Sequence, residues 1–289
     1  MGEYELKILS FLSLIAFSHL GIAVDFRHAD RLFSQRGISA EGIDSIDKAL
    51  ESYTQLINGS QGPLTQREQI YAVVQKSRLY VYHGINQDKA TDVGKNRRRT
   101  LFSKCRQDLQ LIHPSNVGPT PEYYHYSAYC LILEAAVRPV VWGLSRIKDI
   151  KNLIAQGMKL ETTFEGGGIL RVAAGLHSTP ELRSVPGIWD PELAWNLIQQ
   201  AIDSEPYGQS SLWGVDYCYN WAGIAMGLDA RGKTREALSE INDSLEYWQD
   251  LEQNNALPVG IEPESRQCLR DMRLVADKLR SKIETGSPF

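Results

Sequence analysis

The stretch WAGIAMGLDARGKTREALSEINDS, residues 221–244, decides the fold. Its apolar and small residues are spaced as in the 34-residue tetratricopeptide unit. Trp221, Ile224, Ala225 and Leu228 fall on a first helix, Ala237, Ile241 and Ser244 on a second, and Gly232 lies in the turn. The small residues have a mechanical role, because Ala225 and Ala237 let the backbones come close where two antiparallel helices cross. Such a unit cannot bury its apolar face alone, so further units are expected beside it.

One lies just upstream. Ala194, Ile198, Ala201 and Pro206 take second-helix and closing positions, preceded by a helix from Ile169 to His177 with Gly175 as its small crossing residue. From Gly175 to Ala194 is 19 positions, against 12 from Ala225 to Ala237, so about seven residues are inserted in that turn. STPELRSVPGIWDP, residues 178–191, supplies them. Fainter units surround Ala29 and Phe33, Ala49 and Tyr53, and Ser77 to Tyr80.

Elsewhere apolar residues recur at spacings of three and four, the mark of amphipathic helices, and strand signals are nearly absent. Ile43, Ile46, Leu50, Tyr53 and Ile57 make one face. Tyr126, Tyr129, Cys130, Leu133 and Val137 make another, and Leu269, Met272, Ala276, Leu279 and Ile283 a third. Turn-rich breaks fall at 58–63, 113–120, 178–187 and 254–260. The fold class is therefore all-α, with tetratricopeptide-like repeats forming an α-solenoid or compact superhelix over residues 24–289.

Bulk properties narrow the partners. The 289 residues are 43% hydrophobic and 23% charged, ordinary for a folded chain. A net charge of −4 gives no reason to expect nucleic acid. The basic cluster of Lys95 and Arg97 to Arg99 has no interleaved aromatics and reads as a solvated face or loop. Residues 8–24 carry no formal charge, and ILSFLSLIAF suits the apolar centre of a signal peptide, with Gly21-Ile22-Ala23 offering small residues for cleavage. Residues 1–23 are thus expected to be a signal peptide or an uncleaved anchor, for a periplasmic or secreted protein. No cysteine follows the apolar run, so no lipid attachment is expected there.

Cys105, Cys130, Cys218 and Cys268 are far apart and lack metal-ligand spacing. One or two disulfides fit an exported protein, but Cys130 and Cys218 sit in apolar helical runs, where buried free thiols are expected.

FEGGGILRVAAGLHSTPE, residues 164–181, looks most like a site. It lacks the Gly-Lys-Ser/Thr ending of a phosphate loop, and the segment before it reads as helix where a dinucleotide fingerprint needs a strand. Its glycines are expected to turn the chain sharply into a helix and let that helix pack closely. Free amides at Gly167 and Gly168 could hold an anion only generically. Arg171 and His177 share one helix. Arg171 is read first as a clamp on a helix end or on a carboxylate such as Glu134, and second as a polar group facing a cavity.

No histidine belongs to a metal or nucleophile motif, no cofactor is implied, and the chain reads as non-catalytic. Trp195 and Trp221 read as packing residues. Trp142, Trp189 and Trp213 join Arg171 and His177 as candidate ligand- or partner-binding residues, since aromatic side chains on loops anchor partners and apolar ligands.

The order of segments resembles a known family. A tyrosine-rich helix, TPEYYHYSAYCLILEAAV (120–137), leads through residues 142–164 into EGGGILRVAAGLHSTPEL (165–182). An inserted Pro/Gly loop, the helix PELAWNLIQQAIDSEP (191–206) and the well-formed repeat follow. This is similar to the T component of tripartite ATP-independent periplasmic (TRAP) transporters, the TatT family. Gly167, Gly168, Arg171, Gly175 and Pro180 match its glycine-rich core at loose spacing. The resemblance covers residues 25–250 and is strongest from Tyr123 to Leu245. It implies a periplasmic helical-repeat protein that associates with the transporter's substrate-binding subunit, with a cavity for a small hydrophobic ligand. Family members are commonly lipoproteins, and this chain shows no acylated cysteine. Self-association is left open. The alternative is a general tetratricopeptide scaffold of the cell envelope. The first reading predicts an enclosed cavity bordered by Trp142 and the Arg171 helix, the second an open concave groove.

Overall fold

A computed structural model describes residues 24–203, 218–257 and 262–286. Eleven α-helices of eight residues or more fill these segments, with no strand among the described residues. They are α1 (Arg27–Ser34), α2 (Ala40–Ile57), α3 (Gln66–Ile85), α4 (Asp92–Asp108), α5 (Pro121–Ala136), α6 (Val140–Leu160), α7 (Gly168–Ser178), α8 (Pro191–Asp203), α9 (Cys218–Ala230), α10 (Thr234–Gln253) and α11 (Glu262–Thr285). Each helix packs on the next, and α7 and α11 also reach α9, as in stacked helix pairs closed by a terminal helix.

Local chemistry sets the helix starts. Thr65 and Glu68 form a reciprocal capping box at α3, and the side chains of Ser39, Thr91 and Thr120 accept backbone N–H bonds at α2, α4 and α5. Gly232 ends α9 with φ +80°, the left-handed turn expected between repeat helices.

The repeat positions assigned to α8, α9 and α10 are buried or packed on the core, and Pro206 lies outside the described residues. Ala225, Ala237 and Ile241 are fully buried, Ile224, Leu228 and Ser244 are buried, and Trp221 packs partly buried on the same core. Ala194, Ile198 and Ala201 are equally buried in α8. Gly175 is different: a Cβ there would meet no atom within 4 Å. It does not sit at a helix crossing. The close approaches belong to Gly167, whose added Cβ would lie 2.6 Å from Ala201, and to Gly223, 2.5 Å from Ile198.

All four cysteines are paired, Cys105 with Cys130 and Cys218 with Cys268. The expectation of free thiols at Cys130 and Cys218 is therefore corrected. Each cysteine is buried as its apolar surroundings suggested, but packing of α4 antiparallel on α5, and of α11 parallel to α9, brings a partner from 25 or 50 residues away.

The interior is of two kinds. A large apolar core runs through α5 to α11. Toward the N-terminus, α3 is buried on every side from Ala72 to Gly84, including Gln75, Lys76, Ser77, Arg78 and His83. The last helix closes on this end: Glu264 of α11 pairs with both Arg36 and Arg78, and Arg270 reaches Asn86 at 3.4 Å. Contacts 184 to 228 residues apart thus bring the two ends of the superhelix together. Among the described residues no helix is long and apolar enough to cross a membrane.

Candidate functional site

The glycine-rich stretch forms a left-handed turn. Glu165, Gly166 and Gly167 have φ values of 50°, 56° and 79°, and α7 begins at the next residue. Glycine is needed twice over. At Gly167 both the dihedral and the closeness of Ala201 exclude a side chain, and a Cβ on Gly168 would lie 2.7 Å from the His125 ring. Glu165 takes the same left-handed conformation without being glycine, a strain that residues held at functional or tightly packed points carry.

Arg171 holds this turn. One turn into α7 its guanidinium folds back, with Nη2 donating to the Glu165 carbonyl at 2.6 Å and Nη1 to the Gly166 carbonyl and to Asn220 Oδ1 at 2.9 Å. Arg171 is therefore a clamp, as the sequence suggests, although not on Glu134. That carboxylate is fully buried and shared by Arg106 and Arg138.

The turn aims the Glu165 side chain inward. Its carboxylate accepts a hydrogen bond from Tyr126 Oη and lies 3.4 Å from His125 Nε2. The rings of His125, Tyr126, Tyr129 and Phe164 surround the pair, with centroid separations of 4.8 to 6.4 Å. Burial alone would raise the Glu165 pKa. The His125 hydrogen bond and charge, together with Arg78 and Tyr126, outweigh it and hold the carboxyl below its ordinary range. Burial pushes the Tyr129 hydroxyl up to about 12, with Asp271 and Glu165 adding to the rise and Arg171 opposing it.

Tyr129 and Glu165 each keep part of their surface accessible. Opposite them, Asp271 of α11 accepts from Tyr219 Oη at 3.1 Å and from Gln267 Nε2 at 3.0 Å. Arg78 lies beyond, bridging Gln75 and Glu264. Charged or hydroxyl groups from α3, α5, α7, α9, α11 and the turn before α7 therefore converge in one polar cluster. His125 leaves Nδ1 without a hydrogen bond to the described residues, so the cluster includes an unused polar atom.

Of the residues singled out by sequence, only Arg171 belongs to this cluster. Trp142 lies near the start of α6, flanked by the guanidiniums of Arg138 and Arg146 at 5.3 and 5.4 Å from its ring. His177 Nδ1 bonds to the Ile188 carbonyl, tying the far end of α7 to the inserted loop. Trp189, half-buried in that loop, carries Arg183 4.6 Å over its ring. Trp213 lies outside the described residues. Sequence reasoning misses His125, Tyr129, Glu165 and Asp271. The one signal that points to them is the acidic residue fixed inside the glycine turn, opposite the tyrosine-rich helix.

Two grooves open to solvent lie elsewhere. One of about 580 Å³ runs between α2 and α4 over Tyr80, with Asp47 and Glu51 facing Arg97 and Lys104. Another of about 770 Å³ lies between the α9–α10 turn and the end of α11. No cluster among the described residues could hold a metal ion. No protein-family model matches the chain, and no curated protein matches it.

Proposed function

We propose that this chain is a non-catalytic helical-repeat protein of the periplasm that binds a protein partner, the substrate-binding subunit of a TRAP-type transporter. It also takes a small ligand into its interior. The observation that carries this reading is the cluster of buried and half-buried polar groups beside the Arg171 helix, where His125, Glu165, Tyr129 and Asp271 gather with one imidazole nitrogen unpartnered. A ligand-binding member of such a family needs interior polar groups to fix its ligand, whereas a general scaffold presents an open concave groove. Charged groups and tyrosines in the cluster favour a ligand with a polar end over the purely hydrophobic one that the resemblance implies.

The paired cysteines support export, because disulfides persist in oxidising compartments. They agree with the signal-like segment before Val24. Intact mass of the protein recovered from the periplasm tests this directly. A chain that begins near Val24 and lacks four hydrogens supports the reading, and a reduced chain that keeps residues 1–23 speaks against it.

The partner is tested by capture from periplasmic extract with the tagged protein. Recovery of a substrate-binding protein supports the proposal, and recovery of unrelated envelope proteins alone sinks it. The open, charge-lined groove over Tyr80 favours a second reading, the envelope scaffold, and charge reversal at Glu51 separates the two. Loss of the captured partner in Glu51→Lys would place binding in the groove and favour the scaffold.

A further inference from the structure

We propose that the end of the molecule where the α5–α6 turn meets the start of α4 is a docking surface for an anionic phospholipid bilayer. Val140 and Val141 are 74% and 79% exposed on the first turn of α6, and Leu144 follows at 42%. Val93, at the start of α4, is 79% exposed. Single exposed aliphatics are ordinary, but three within five positions of one helix form a patch that calls for a cover.

The packing of α4 on α5 brings the charges to the same end. Cys105 is bonded to Cys130, Arg106 to Glu134, and Arg99 Nη2 donates to the Val137 carbonyl at 3.3 Å. The two helices are therefore antiparallel, and the N-terminal half of α4 runs toward the α5–α6 turn, which Arg99 meets at Val137. Six cations (Lys95, Arg98, Arg99, Arg106, Arg138, Arg146) stand here against four carboxylates, Asp88, Asp92, Glu134 and Asp149. Glu134 is fully buried between Arg106 and Arg138 and offsets one of those two charges. In a chain of net charge −4 this is a local reversal of sign. The basic cluster that sequence assigned to a solvated face is thus joined, through the fold, to the aromatic and aliphatic residues it lacked.

A bilayer matches this combination better than an acidic protein. The aliphatic residues protrude from a helix start, a shape for shallow insertion at the headgroup–acyl boundary. Trp142, half-buried between Arg138 and Arg146, sets an indole and two guanidiniums at the level that lipid headgroups occupy. The cations then meet lipid phosphates, an attraction that falls with salt.

The test is sedimentation of the full chain with phosphatidylcholine vesicles, with and without phosphatidylglycerol. Binding is expected only with phosphatidylglycerol. It should fall at least about tenfold in Val140→Asp/Val141→Asp and by about tenfold or more in Lys95→Ala/Arg146→Ala. Brominated lipids should quench tryptophan emission in the wild type and not in the valine variant. Any pull of residues 1–23 on vesicles is common to all these chains, so the differences report on the surface. Both valines are exposed, and Val140→Ser/Val141→Ser serves as a milder version should the aspartates disturb folding. Equal binding to neutral and anionic vesicles, or undiminished binding by the valine variants, would overturn the proposal. So would a change in self-association or protein capture with vesicle binding unchanged, because the patch would then serve a protein partner.

Discussion

The two ends of this superhelix have opposite interiors. From α7 to α11 the core is apolar and close-packed, with alanine and glycine at the crossings. Around α3 the interior holds Lys76, Arg78 and His83, and the guanidinium of Arg36 lies beside them. The apolar end is held by shape. The polar end is held by partners imported from elsewhere in the chain: Asp108 for Lys76, at 2.6 Å, and Glu264 for both arginines. A buried charge is costly unless paired, so the N-terminal half depends on the last helix in a way the C-terminal half does not.

Removing that dependence should have the largest effect. Glu264→Ala takes away the carboxylate shared by two buried guanidiniums and is expected to cost about 3 to 5 kcal/mol. Urea unfolding measures it, and hydrogen exchange should show the loss concentrated in α1 and α3. A loss spread evenly over the chain would break the contrast between the two ends.

The disulfides compare the same two regions. Their loops span 25 and 50 residues, so opening Cys218–Cys268 should cost about 4 kcal/mol and opening Cys105–Cys130 about 3.5. Paired Cys→Ser variants, melted side by side, give the order.

Two glycines at either end of α7 sharpen the lesson further. Gly167→Ala meets both a left-handed φ and Ala201 and should cost about 1 to 3 kcal/mol. Gly175→Ala enters open space within α7 and should stabilise by about 0.5 to 1 kcal/mol. Thermal melts of the two variants should therefore shift in opposite directions.

The smallest effect is a slope. Burial holds the His83 pKa below its ordinary 6.5, Arg97 adding to the fall and Asp47 opposing it. As pH drops below 6.5 the unfolded chain gains a proton that the native one refuses, so stability declines with acidification. His83→Gln should flatten this part of the pH–stability curve.

The contrast also explains what could be read in advance. Trp221 to Ser244 was legible because its packing is local: both helices of the pair lie within 24 residues, and spacing alone puts Ala225 and Ala237 on their buried faces. In α3 the apolar period is masked by Gln75, Lys76 and Arg78, whose burial makes sense only once Asp108 and Glu264 are in place. Gly175 misleads because a small residue on a helix reads alike whether it faces a neighbour or open space. Arg171 is legible as a clamp, but its acceptors are two backbone carbonyls and Asn220, which spacing cannot announce.

By itself the sequence determined the helices, their pairing into repeats and the sharp glycine turn before α7. Periodicity, capping residues and glycine's access to positive φ act within a few residues, so they are written where they act. The tertiary structure alone decided the disulfide pairing, the closure of α11 onto Arg36 and Arg78, and the cluster that gathers Tyr129, Glu165 and Asp271. Those contacts join groups dozens to hundreds of residues apart. They exist only because stacked helices curve the chain back on itself.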